Sequence, residues 1–240
     1  MQSLGIFGAL FAFFTVLHLA LRWRSDRTLD ADMKLSRGLA AFVLAVAGFL
    51  SILRWWPLWP QGFIVNGQDR AALLVVLLVL GHLVADLVWM AGGRYYAASR
   101  PRPDLIAHHL VGLVAGGLAL YFQAGYELVG IVISSEIMPT VSGIIAWAQV
   151  RGKQGLIRRA LRWRLWALTA WRLPLWIALI GCCALALVRG QATPGLEIVY
   201  WLAIFIFFGV IGLDLFWTRQ VLSGLERLAD SEAGKEPNQE

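Results

Sequence analysis

Two adjacent histidines, His108 and His109, open an apolar run long enough to cross a membrane, directly after a basic stretch punctuated by Pro101 and Pro103. In hydrocarbon an ionisable side chain needs a partner or a water-filled cavity, so each such residue marks a candidate functional position. Neighbouring apolar runs supply more of them. His82 and Asp86 stand four residues apart, a spacing that puts both on one helix face where they can meet. Glu136 sits in mid-run shortly before Pro139, Arg172 shortly before Pro174, and Asp214 shortly before Arg219. At about 1.5 Å of rise per residue, Asp86, His108, His109 and Asp214 fall in one layer roughly 6–10 Å from the basic ends of their runs. An imidazole beside a carboxylate can do general acid–base work, because the carboxylate fixes the ring tautomer and stabilises its protonated form. An arginine as deep as Arg172 wants a carboxylate, and Glu136 or Asp86 is the expected counter-ion in a structural clamp. His18, alone near the end of the first run, is expected to be a hydrogen bonder between helices.

The elements that must position these groups are membrane helices. Of the 240 residues 59% are hydrophobic, and the mean hydropathy is +0.66, well above the apolar content of soluble domains. The sequence therefore predicts an all-α, polytopic integral membrane protein. Seven runs satisfy the requirement of about 20 mainly apolar residues: 3–21, 38–58, 71–92, 105–122, 127–149, 166–188 and 195–217. Short connections without low-complexity tracts predict one domain with no soluble appendage, and the charged stretch after Leu222 predicts a frayed or disordered end. Pro139 and Pro174 each remove a backbone donor and predict kinks. Gly112 and Gly116, spaced as GxxxG, predict close helix packing. The only cysteines, Cys182 and Cys183, are adjacent within an apolar run and suit packing, not a disulfide framework.

Basic residues alternate between connections. Arg22, Arg24, Arg27, Lys34 and Arg37 follow the first span, Arg94, Arg100 and Arg102 the third, a cluster from Arg151 to Arg164 the fifth, and Arg219, Arg227 and Lys235 the seventh; the other connections hold only Arg54, Arg70 and Arg189. The positive-inside rule then places the N-terminus outside and the C-terminus in the cytoplasm. This distribution accounts for the net charge of +6 without nucleic acid as a partner. The cluster from Arg158 to Arg164 is first a topology signal, with phosphate binding as the sharper reading. Trp55, Trp56, Trp59, Trp163 and Trp166 stand where interfacial aromatic belts form. No charged n-region precedes the first span, so it is expected to stay rather than be cleaved. Compact loops and an Ala/Arg/Trp-rich composition point to a bacterial inner membrane over the endoplasmic reticulum.

With these residues in order, the chain resembles the TLC family, the membrane domain shared by ceramide synthases, translocating-chain-associated membrane proteins and less characterised lipid-metabolism proteins. The resemblance runs through His82-x-x-x-Asp86, Arg102-x-Asp104-x-x-x-His108-His109, Ser135-Glu136-Ile137-Met138-Pro139, Arg172, and Leu213-Asp214-Leu215-Phe216-Trp217. It implies a six-helix core over residues 35–222, an extra helix and basic loop over 1–34, and a charged tail over 223–240. After their paired histidines ceramide synthases carry a Ser/Asn-containing stretch and then His-Asp-x-x-Asp. This chain has a Gly-rich apolar run and the single carboxylate Glu136, so it is similar to the less characterised branch.

The resemblance implies that His108 and His109 line a cavity open to the cytoplasm and support transfer of an acyl group from acyl-CoA to a lipid amine or hydroxyl. His109 is the expected base or nucleophile, His108 its neighbouring donor and Asp86 or Asp214 the orienter, although the sequence does not choose between the two histidines. His82, Glu136, Arg172 and Trp89 are the expected substrate-binding residues. Membrane lipids and acyl-CoA are the expected ligands, the latter as co-substrate with its head group on the cytoplasmic arginines; no resident cofactor or metal is required. Two other readings fit the same residues. Three histidines and an aspartate could hold zinc in a lipid hydrolase, or the polar set could bind head groups in a non-enzymatic regulator of membrane composition.

Overall fold

In lipid each backbone polar group must find its partner within the segment, so long apolar runs become helices. The computed structural model of the protein describes residues 2–23, 28–55, 69–97, 102–192 and 194–233, and every regular element among them is helical. In chain order these are α1 (Gln2–Arg22), α2 (Leu29–Trp55), α3 (Arg70–Ala97), α4 (Pro103–Phe122), α5 (Tyr126–Val132), a 3-10 turn (Ile133–Glu136), α6 (Ile137–Val150), α7 (Gln154–Trp166), a π-helical segment (Ala167–Arg172), α8 (Leu173–Val188) and α9 (Glu197–Ala233). Joined through their irregular segments, they make seven helices long and apolar enough to cross a membrane. Leu53, Val188 and Phe205 point outward, as lipid-facing positions do.

Local chemistry sets several helix starts. Thr28 caps α2 through Oγ1, which accepts from Ala31 N at 3.3 Å, and Asp30 and Asp32 fill the first turn where the helix dipole favours anions. Asp69 caps α3 through Oδ1, 2.8 Å from the amide of Ala71, and also receives Arg54 at 3.1 Å and Trp55 Nε1 at 3.3 Å. Burial alone would raise the Asp69 carboxyl, but the two amides at the cap, Arg54 and Trp55 outweigh it and hold the group below its ordinary value. Trp55 is thus buried at the non-basic end and not part of an exposed belt; Trp56 and Trp59 lie outside the described residues. Trp163 and Trp166 are exposed and stack edge to face with centroids 5.7 Å apart.

Three expected boundaries move, the first being the start of the second span, which lies at Asp30 and not at residue 38. The sixth span starts at Gln154, because the Arg-rich stretch before residue 166 is amphipathic helix. Helix α9 runs on through Ala233, so residues 223–233 of the expected tail are helical, and residues 234–240 lie outside the described set. The last two stretches carry charges at helical spacing, which extends a helix past the bilayer surface as readily as it ends one.

Both proline sites carry a break in regular α-helix. The 3-10 turn ends three residues before Pro139, and the π-helical segment ends two residues before Pro174. Helix α2 packs against the broken fifth span at three glycines. A Cβ on Gly38 would lie 3.0 Å from Pro139 O, one on Gly143 3.1 Å from Lys34 O, and one on Gly48 only 2.1 Å from Ser134 N. Without a hydrophobic force between helices in lipid, such close backbone approach is a main source of cohesion. Gly112 and Gly116 bring α4 against Leu83 and Leu80 of α3, which is the packing role expected of them. The turn from α4 to α5 passes through Gly125 at φ +73°, a conformation that suits glycine. Cys183 is buried among Leu179, Tyr200 and Phe207. His18 hydrogen-bonds Ser36 Oγ at 2.7 Å, tying α1 to α2.

Candidate functional site

At the basic end of the bundle α2, α3 and α4 meet around Asp86. Arg37 clasps this carboxylate from α2, its Nε donating to Oδ2 at 2.6 Å and its Nη2 to Oδ1 at 2.9 Å. From α4, His109 Nε2 lies 2.7 Å from the same Oδ2, an ion-pair contact out of line for an aligned hydrogen bond. The other ring nitrogen of His109, Nδ1, is 2.8 Å from the Leu105 carbonyl; a carbonyl only accepts, so Nδ1 carries a proton. His109 is therefore engaged at both nitrogens and has 3% of its side chain exposed. Asp86 has two cations or donors to itself, which suits a carboxylate taken out of water.

One residue back, His108 faces the other way. Its Nε2 lies 3.4 Å from Glu136 Oε1, while its Nδ1 is buried without a hydrogen-bond partner among the described residues. A proton on Nε2 facing the carboxylate leaves the lone pair on Nδ1. The ring stands edge-on to Trp217, with centroids 5.4 Å apart, and to His109 at 5.7 Å. Trp217 is held in turn, its Nε1 donating to Asp104 Oδ2 at 2.9 Å, and Asp104 is gripped by both Nε and Nη2 of Arg102.

The proline breaks position the third group. Pro139 has no N–H to donate to the carbonyl four residues back, which is that of Ser135, and Arg172 Nη1 donates there instead at 2.9 Å. Arg172 Nε donates to both oxygens of Asp214 at 3.1 and 2.9 Å, and Trp176 Nε1 donates to Asp214 Oδ2 at 2.8 Å. The guanidinium also lies over the rings of Trp176 and Trp217, 5.4 and 5.7 Å from their centroids. The clamp expected of Arg172 thus exists, but its carboxylate is Asp214 and not Glu136 or Asp86. Asp214 is fully enclosed by Arg172 and Trp176 and meets neither of the paired histidines; Asp86 meets His109 and Glu136 meets His108.

Two cavities meet at His108, Glu136 and Arg172. One, of about 130 Å³, is walled by apolar side chains that include Leu83, Val111, Leu128, Ala203 and Phe207. The other, of about 190 Å³, is a polar vestibule toward the basic end, lined by Lys34, Arg37, Arg102, His82, His109 and Arg164 among others. His108, Glu136 and Arg172 line both and form the neck between them.

The remaining expected residues divide. His82 lines the vestibule, but its ring packs edge-on against Phe14 of α1 at 5.1 Å and stands 6.3 Å from His109. Asp86 turns to Arg37 and His109, although His82 is one helical turn away. Trp89 lies against His18, with centroids 4.0 Å apart, and lines neither of these two cavities. Among the described residues no group of three or more His, Cys, Asp or Glu is disposed to hold a metal ion. His109 and His108 turn to different carboxylates, as adjacent positions on a helix do. Arg37, Trp176 and Trp217 were not expected at the site. Arg37 falls just before the apolar run of its span, and only the helix-start signals at Thr28, Asp30 and Asp32 place it inside a helix. Comparison of the chain with protein-family models, with curated proteins and with solved structures gives no match in any of the three.

Proposed function

We propose that this chain is a TLC-type membrane protein of lipid metabolism that moves a fatty acyl group from acyl-CoA to a lipid amine or hydroxyl at the neck between the two cavities. The observation that carries this reading is that one imidazole, His108, borders an apolar cavity on one side and a basic vestibule on the other. An amphiphile whose reactive bond lies between tail and head fits such a neck: the acyl chain enters the apolar cavity, and the anionic head remains among Lys34, Arg37 and Arg102. With the basic end facing the cytoplasm, as the positive-inside rule directs, the vestibule meets cytoplasmic acyl-CoA. The helices from α2 to α9 form the six-span core in this reading, and α1 is an addition buttressing α3.

His108 is the reactive residue and Glu136 its orienter. His108 Nδ1 takes the proton of the acceptor amine or hydroxyl as nitrogen or oxygen attacks the thioester carbonyl; the C–S bond breaks, an amide or ester forms, and the proton passes to the leaving thiolate. Alternatively Nδ1 attacks first and carries the acyl group transiently. His109, held by Asp86 and Leu105, is a positioning residue that fixes the start of α4. The test is incubation of membranes containing the protein with labelled acyl-CoA and a lipid extract, followed by chromatography of the products. Turnover is expected for the native chain, loss of at least about 100-fold for His108→Ala, in line with removal of a general base, and a smaller loss for His109→Ala. Turnover unchanged in the doubly substituted protein would remove the site. A co-purified lipid without turnover from any donor would favour the non-enzymatic lipid-binding reading.

A further inference from the structure

A second concavity lies at the basic end, between α6, α7 and α9. This groove, of about 900 Å³, shares Ile145, Gln149 and Arg164 with the vestibule and continues outward along α9. Its two faces differ. Ile157, Leu161, Phe216 and Val221 give it an apolar floor, while Arg164, Arg219 and Arg227 line it with positive charge. Arg219, Ser223 and Arg227 follow one another at four-residue steps and so rise along one face of α9. None of the three arginines pairs with a carboxylate among the described residues, and the Nε of Arg164 is buried without a hydrogen-bond partner. Glu226 and Asp230 belong to the same helix but do not line the groove.

Unpaired guanidinium groups converging on a groove need an anion, and planar forks of donors suit phosphate oxygens best. Depth decides what carries the phosphate. The exposed pair Trp163 and Trp166 stands on α7 beside Arg164, and Lys153 and Arg151 lie over Trp147 at the end of α6; Trp and basic residues at one level mark the headgroup layer of a bilayer. We infer that the groove binds the phosphate headgroup of an anionic phospholipid, with Arg164, Arg219 and Arg227 on the phosphate and the upper acyl chains on the apolar floor. This site is separate from the His108 neck and does not depend on acyl transfer.

The full-length protein, purified in mild detergent, is incubated with phosphatidylglycerol or with phosphatidylcholine, and retained lipid is counted by native mass spectrometry. Retention of about one phosphatidylglycerol per chain is expected, with little phosphatidylcholine. Arg219→Gln with Arg227→Gln should lower that retention about tenfold or more, since each charge-assisted contact is a substantial part of such binding. Arg219 and Arg227 are exposed, so this variant keeps the fold, which an unchanged unfolding midpoint verifies; Arg164→Gln is a secondary arm because that side chain packs within the bundle. Equal retention by native and doubly substituted protein overturns the inference. Displacement of the lipid by inorganic pyrophosphate or by CoA at concentrations where phosphatidylglycerol no longer competes also overturns it, by making the groove a site for soluble phosphates.

Discussion

Asp214→Leu is the most informative perturbation of the fold. The Arg172 side chain is 1% exposed and that of Asp214 0%, and among the described residues the arginine's other partners are the Ser135 carbonyl and two indole faces. Removing the carboxylate strands a guanidinium in the bundle, which costs about 3–5 kcal/mol, or roughly two to four powers of ten in the folded fraction. The partner substitution Arg172→Met strands the Asp214 carboxylate and should cost a similar amount. With both changed, neither charge of the pair is left buried; what remains unsatisfied is the Ser135 carbonyl and the Trp176 N–H, a penalty of about 1–3 kcal/mol. The double variant should therefore be more stable than either single one. Unfolding midpoints in detergent, followed by tryptophan fluorescence, give all four corners of the cycle. Additive single effects, or a cost below about 1 kcal/mol for Asp214→Leu, would refute the assignment of this pair as a buried clamp.

Gly48→Ala should destabilise the bundle by at least about 1–3 kcal/mol, because the added Cβ would meet the Ser134 backbone at 2.1 Å; expression and thermal midpoints report it, and a neutral result contradicts the α2 packing. Asp69→Ala should lower stability by about 1 kcal/mol at neutral pH. The folded Asp69 carboxyl titrates below its ordinary value, so its contribution is present above the free-chain value of about 3.9 and is lost as pH falls through the folded value. The difference between native and variant midpoints should shrink on acidification from about pH 6 to about pH 3, and a difference that grows would show the sign to be wrong. Arg37→Met leaves the Asp86 carboxylate with His109 alone, and should cost about 3–5 kcal/mol while Trp89→Leu, outside both cavities, leaves any lipid turnover unchanged within about twofold.

Much of the helical architecture follows from residue types. Seven apolar runs, the meeting of His109 with Asp86 near the basic end, and the two proline breaks follow from hydropathy, rise per residue and the missing proline donor. Pairing was harder, because several carboxylates lay at similar depth and spacing alone does not rank their partners. Asp86 is one turn from His82, but a guanidinium satisfies a buried carboxylate better than a neutral ring does, and Arg37 was counted as a loop residue because its helix begins before the apolar run. Arg172 takes Asp214 since the two breaks bring α9 against the π-helical segment, a tertiary relation that no local pattern carries. The choice between the histidines is equally invisible: it rests on the Leu105 carbonyl that engages His109 Nδ1 and on the lack of a hydrogen-bond partner for His108 Nδ1 among the described residues.

The claim that an amphiphile spans the neck at His108 is tested most directly by photolabelling with a fatty acyl-CoA that carries a diazirine in mid-chain, followed by mapping of the labelled peptides. Occupancy of the apolar cavity predicts label on its walls, at Val111 and Ala115 of α4 and Ala203 and Phe207 of α9, abolished by excess unlabelled acyl-CoA. Label confined to outward-facing positions such as Leu53, Val188 and Phe205, undiminished by competitor, would contradict it.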